Sequence, residues 1–282
     1  VRNTKVPAQR GPQYKVVAVT PAMAERWLEE SNTHNRNLRE NAVDSYARDM
    51  LAGNWAENGE SIKFAEDGTL LDGQHRLWAV AQSGATVRLL VATGLERGTQ
   101  ETMDDGRKRT LADALTLRGE HNAVALASVL RRALMWEQGQ RRNTGAYTPT
   151  NTECLQFLEK HPEARESADV SKSLRAPTKL PSSVIGVTHW VFTRIDKEDA
   201  DWFFKHLGTG AIADQFHPIL TLRKKAGDIA DEAKRRGGGR VPEDVLLAFV
   251  IKAWNAYREG SQLKVLRFKP GGANPEQFPT PK

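Results

Sequence analysis

Asp72-Gly73-Gln74-His75-Arg76 follows a β-rich run and opens a helical one, so its polar groups gather at a helix start. The first turn of a helix offers backbone N–H groups outside the helical ladder and the positive end of the dipole, a ready site for phosphate. Gly73 permits a sharp turn and a close backbone approach. Arg76 supplies a planar fork matched to phosphate oxygens, and His75 can donate to one or shuttle a proton near neutral pH. Asp72, at the strand end, can align a nucleophile or hold a metal ion. The same five residues also suit a capped helix start with His75 and Arg76 in structural pairs.

The elements that must position this stretch can be read from periodicity and turn chemistry. Lys15 to Val19 alternates as a strand, and Thr20-Pro21 caps a helix running to about Glu30. A second helix spans about Arg39 to Ala52, with Val43, Tyr46, Ala47, Met50 and Leu51 on one face. Ser61 to Phe64 and Thr69 to Leu71 form a hairpin around Asp67-Gly68. Gln74 to Ser83 is a helix stopped by Gly84, and Val87 to Val91 is a buried strand. From about Leu111 the patterns turn helical: Leu111–Leu117, Ala123–Glu137, Thr152–Glu159, Glu163–Leu174, Ser182–Arg194, Asp199–Leu207, Ile219–Arg235 and Pro242–Arg258. The expected fold class is α+β, with an α/β module over residues 1–115, an all-helical basic domain over 116–269 and an extended or disordered tail over 270–282.

The motif and its surroundings resemble the ParB/sulfiredoxin superfamily. Gly73-Gln74-His75-Arg76 is similar to the Gly-x-x-Arg phosphate motif of ParB partition proteins, sulfiredoxin and the related free-serine kinase. Asn35-Arg36 resembles an Asn-x-Arg stretch of ParB, and Asp104-Asp105-Gly106-Arg107-Lys108-Arg109 sits where ParB has a second box contacting phosphate and metal. Ile62-Lys63-Phe64, Asp67-Gly68, Leu70 to Gly73, Ala79, Gly84 and Val87 to Val91 follow the ParB order, so the resemblance spans about Tyr14 to Leu115. The whole chain also resembles phage and prophage proteins with a ParB-like N-terminus and a helical C-terminus. Departures are specific. Partition proteins carry Glu-Arg or Tyr-Arg where this chain has His75-Arg76, and their second box is not acidic and basic in this order. Sulfiredoxin needs a cysteine near Gln74, which argues against sulfinic-acid reduction. Asp-Gly-His-His-Arg of the serine kinase is nearer to Asp72–Arg76, and this tilts the expectation to phosphoryl transfer.

The resemblance implies a nucleotide site in which Gly73, Gln74, His75, Arg76, Arg36 and Arg109 hold ATP or another NTP. Asp104 and Asp105 would ligate Mg2+, and Asp72, His75 and Glu60 would do the chemistry. Glu60 equally suits a surface carboxylate, and Asp104-Asp105 a turn before a capped helix. The implied activity is NTP-dependent transfer to DNA, with the hydroxyl of a hydroxymethyl pyrimidine in phage DNA as acceptor, a step resting on fold-level analogy. The alternatives are a non-catalytic, DNA-binding nucleotide switch, which would leave open a homodimer, and a ParB-like nuclease.

Composition bounds these readings. Of 282 residues, 39% are hydrophobic and 27% charged, as in a protein with a substantial core. No run approaches the ~20 apolar residues of a membrane span, so no membrane partner is expected. Val1-Arg2-Asn3-Thr4-Lys5 lacks the apolar core of a secretory signal, and Cys154 stands alone, so a reducing cytoplasm is the expected compartment. The net charge of +6 is uneven: residues 1–115 hold 15 Lys and Arg against 16 Asp and Glu, and 116–282 hold 26 against 19. Arg131-Arg132, Arg141-Arg142, Arg223-Lys224-Lys225 and Lys234-Arg235-Arg236 concentrate the excess, which suits a polyanion such as DNA, with solvated helix faces as the alternative. Trp190, Trp202, Phe203-Phe204 and Trp254 are read as core, and His206 and His217 lack a zinc-ligand pattern.

Overall fold

Thr20 starts the first helix as its chemistry predicts: its hydroxyl accepts from the Met23 amide at 3.3 Å, and Pro21 takes the first helical position. The computed structural model describes residues 11–33, 35, 37–103, 110–142, 147–235 and 241–282. The chain divides into two units, Val1–Lys108 and Arg109–Lys282.

Unit 1 runs β1 (Gln13–Val19), α1 (Pro21–Ser31), α2 (Glu40–Leu51), β2 (Ser61–Ala65), β3 (Leu70–Asp72), α3 (Gln74–Ser83) and β4 (Val87–Leu95), then a short 3-10 turn, Arg97–Thr102. The sheet order is β1-β4-β2-β3. β4 lies antiparallel to β1 and parallel to β2, which explains its apolar run: it is flanked by strands on both edges. β2 and β3 form the hairpin around Asp67-Gly68, pairing Lys63 with Asp72. Asp67 Oδ1 accepts from the Thr69 amide at 2.9 Å, and that bond holds its carboxyl below the usual range. α3 packs against α1 and α2. Val19, Leu28, Val43, Ile62, Leu77 and Val91 join one core cluster.

Unit 2 is helical: α4 (Leu111–Leu117), α5 (Ala123–Glu137), α6 (Asn151–Lys160), α7 (Ala164–Thr178), α8 (Ser182–Thr193), α9 (Lys197–Thr209), α10 (Pro218–Arg235) and α11 (Glu243–Arg258). The protein is therefore α+β. The division falls before α4 and not after it, because Leu111 and Leu115 are buried in the helical core. α8 lies at the centre, packed on α5, α7, α9 and α11. Its Phe192 stacks on Trp254 with centroids 4.3 Å apart, and Trp190, Phe203, Phe204 and Trp254 are buried as read from their spacing. Trp202 differs. It is 39% exposed, yet His206 covers one part of its ring at 3.8 Å and Tyr257 stacks on it at 5.1 Å, so it is no open platform for a base.

Residues 270–282 form neither helix nor strand, but they are not loose. Trp254 Nε1 donates to the Lys282 main-chain oxygen at 2.7 Å, Asn255 Nδ2 donates to the Thr280 carbonyl at 2.9 Å, and Phe278 lies edge-on to Trp136. The extended reading of this tail holds, and the aromatic side chains of Trp136 and Trp254 on the helices supply the anchor that prolines and glycines lack. Phe278→Ala is expected to lower the urea stability of unit 2 by about 1–2 kcal/mol, the worth of a half-buried ring. Among the described residues no helix is long and apolar enough to cross a membrane.

Candidate functional site

The hairpin and Gly73 place the start of α3 directly against β2. Gly73 sits at the N-cap with φ 105°, and a Cβ there would stand 2.6 Å from Ile62 Cδ1 and 3.2 Å from Ile62 Cα. Only glycine fits both the backbone and the space. The helical ladder then begins with the Leu77 amide donating to the Gly73 carbonyl at 3.0 Å. β3 is pinned from the other side by two side-chain amides. Asn35 Nδ2 donates to the Leu70 carbonyl at 2.8 Å, and Gln100 Nε2 donates to the Leu71 carbonyl at 2.9 Å.

Around this start two cations and two carboxylates converge. Asp72 Oδ2 accepts from Lys63 Nζ at 3.2 Å and from Arg76 Nη2 at 3.4 Å. Arg76 also reaches Glu60 Oε2 at 3.2 Å and the Ser61 carbonyl at 3.2 Å. The Arg76 side chain is 12% exposed and that of Glu60 64%. The fork of Arg76 is thus in structural pairs, with Glu60 supplying the solvent-facing anion. Gln74 is buried. His75 Nε2 accepts from the Arg39 amide at 3.1 Å, so a neutral ring carries its proton on Nδ1, and only that nitrogen can donate to a ligand.

The structure therefore brings Glu60, Asp72, Gly73, Gln74, His75 and Arg76 into one neighbourhood. Arg36, Arg109, Asp104 and Asp105 lie outside the described residues. Lys63 is the member that the sequence reading did not assign. The hairpin register, which sets it opposite Asp72, is the signal that finds it. Gln100 carries no comparable signal, since its bond to Leu71 spans 29 positions.

Each unit also holds a cleft. One, of about 760 Å³, lies at the other end of β2, among Trp27, Glu30, Phe64 and Glu66, and its carboxylates oppose an anion. The second, of about 400 Å³, lies in unit 2 among Trp136, Arg141, Ile195 and Phe278.

Arg132, Arg141 and Arg223 of the basic clusters turn toward main-chain carbonyls. Arg132 is 3% exposed and donates to the Arg141 carbonyl; Arg141 stacks on Trp136 at 3.7 Å. Arg142 pairs with Asp244 at 3.3 Å, and Arg223 donates to the carbonyls of Leu207 and Gly208 at the end of α9. Arg132, Arg141 and Arg223 cap carbonyls within the unit, whereas Arg142 meets Asp244 from an exposed position. Lys224, Lys234 and Arg235 on α10 remain exposed.

Cys154 is buried on α6, and burial pushes its thiol up to about 12, so it is inert at neutral pH. His189, which the sequence reading passed over, is 2% exposed on α8, and burial pulls it down to about 4. Compared with protein-family models, curated proteins and solved structures, the chain matches none.

Proposed function

We propose that unit 1 binds the phosphates of a nucleoside triphosphate at the start of α3 and that the chain is an NTP-dependent phosphotransferase acting on DNA. One observation carries this reading: Lys63 and Arg76 converge beside Gly73, where the backbone of α3 begins. The ParB-like order of the motif and its flanking strands supports it as a resemblance. Glu60 stands in for the ligand anion. A phosphate would replace its exposed carboxylate on Arg76, while Asp72 keeps the fork in place.

The acceptor in this reading is the hydroxyl of a hydroxymethyl pyrimidine in phage DNA, and the setting is the cytoplasm of an infected bacterial cell. Asp72 Oδ2 is taken by two cations, which leaves Oδ1 to receive the hydroxyl proton as the acceptor oxygen bonds to the γ-phosphorus and the bond to the β,γ-bridging oxygen breaks, releasing the nucleoside diphosphate. Asp104 and Asp105 would hold Mg2+, which neutralises the transferring group. Lys224, Lys234 and Arg235 are the exposed cations offered to the DNA backbone. A second reading, a nucleotide switch on DNA without transfer, with a homodimer as its working form, is favoured by the engagement of both candidate bases, Glu60 and Asp72, in ion pairs.

Incubation with γ-labelled ATP, Mg2+ and DNA with or without hydroxymethyl pyrimidines separates the outcomes. Label on the modified DNA is expected; free phosphate alone supports the switch, and shortened strands support a nuclease. Arg76→Ala is expected to weaken ATP binding at least about tenfold, the worth of a charge-assisted pair. Glu60→Gln, which frees the fork, is expected to tighten it. ATP affinity unchanged in both variants would remove the phosphate site itself.

A further inference from the structure

Three successive helices of unit 2 each bring one metal-ligating group to a single point. A ring nitrogen of His189 (α8) and one oxygen each of Glu166 (α7) and Asp201 (α9) lie within 4.8 Å of one another. We propose that Glu166, His189 and Asp201 bind a divalent first-row transition-metal ion, which displaces the Lys197 ammonium from between the two carboxylates.

The imidazole carries the argument beyond a pair of surface acids. His189 is 2% exposed, and Ser167 Oγ lies 2.9 Å from its Nδ1. A hydrogen bond on one ring nitrogen that fixes the orientation of the other is the arrangement a ligating histidine has. With Nδ1–H donating to Ser167, Nε2 keeps a lone pair that a metal ion can take.

The carboxylates already hold a cation. Lys197 Nζ lies 2.9 Å from Glu166 Oε1 and 3.1 Å from Asp201 Oδ2, and it makes no bond to His189. An ammonium satisfies two of the three groups, whereas a metal ion would use all three. One nitrogen and two carboxylate oxygens form a borderline donor set, suited to Zn2+, Co2+ or Mn2+ more than to a hard cation held by oxygens alone. Bonds of about 2.1 Å in a tetrahedral site need ligand atoms about 3.4 Å apart. The Glu166 and Asp201 side chains are 53% and 50% exposed, free to close that gap by rotation, and Lys197 is exposed enough to swing out. Three protein ligands leave a position for water.

Titration of the full chain with Zn2+, followed by calorimetry and by the visible spectrum of the Co2+ form, tests the site. One equivalent is expected. Glu166→Gln and Asp201→Asn, both at exposed positions that spare the fold, are expected to weaken binding about tenfold or more. Lys197→Ala removes the competing ammonium and is expected to strengthen binding several-fold. The site is overturned by any of three results: no saturable binding in either the parent chain or Lys197→Ala, affinity that survives Glu166→Gln with Asp201→Asn, or weaker binding in Lys197→Ala.

Discussion

Gly73→Ala is expected to destabilise unit 1 by about 2–5 kcal/mol while leaving unit 2 as it is. Two costs add. An L-residue held at positive φ loses about 1–2 kcal/mol, and a Cβ forced against a filled core costs about 1–3 kcal/mol more. The second cost is firm here because the Cβ meets the Ile62 backbone at 3.2 Å as well as its side-chain tip at 2.6 Å, and Ile62 is fully buried. A domain of this size is stable by only about 5–15 kcal/mol, so such a loss takes a large share. Gly84→Ala is the control: it shares the positive φ, at 69°, but has open space where its Cβ would go, so only the first cost applies. Hydrogen exchange resolves the effect by unit. Amides of β2, β3 and α3 should lose protection in Gly73→Ala, with those of α8 and α11 unchanged. Equal losses in the two variants would show that α3 does not press against β2, and the phosphate-site geometry would go with it.

That same contact marks how far the sequence could be read. Elements were legible wherever their ends carry local chemistry. Thr20-Pro21, Gly84 after α3 and Asp67-Gly68 in the hairpin all act within a few residues of the chain. Of the site, Asp72 to Arg76 was legible for the same reason, and Glu60 came near it through the strand that follows. What was not legible depends on partners distant in the chain. The parallel pairing of β2 with β4 crosses a hairpin and a helix, and no local signal sets that order. Whether Arg76 faces solvent or Glu60 is decided by a contact 16 positions away. His189 looked like one more residue of an apolar helix until α7 and α9 placed carboxylates beside it.

The arginines of unit 2 show the same limit and give the second large effect: Glu243→Ala is expected to cost unit 2 about 3 kcal/mol. Arg132 is almost wholly buried, with Nε 3.8 Å from Glu243 Oε2 and Nη1 without a hydrogen-bond partner among the described residues. Burial pulls the guanidinium down, and Glu243 with Asp244 pulls it back up. Removing Glu243 leaves a buried cation with less compensation, which costs about 3–5 kcal/mol where a pair is fully enclosed. The lower end applies because Asp244 remains and Glu243 is 33% exposed. Glu243 also accepts from Ser183 Oγ at 2.7 Å and sits in the first turn of α11, where the dipole favours a carboxylate. Arg132→Met is expected to cost less, since the remaining carboxylate can turn to water. Arg132→Met with Glu243→Leu should recover part of the loss, because two apolar side chains need no counter-charge. A double-mutant cycle in urea, read by the tryptophan fluorescence of unit 2, would measure a coupling of about 1 kcal/mol or more. Zero coupling would return Arg132 to the solvent. A positive result removes this arginine from the charge available to a polyanion, so the salt dependence of any DNA binding should fall on Lys224→Ala, Lys234→Ala and Arg235→Ala and not on Arg132→Met.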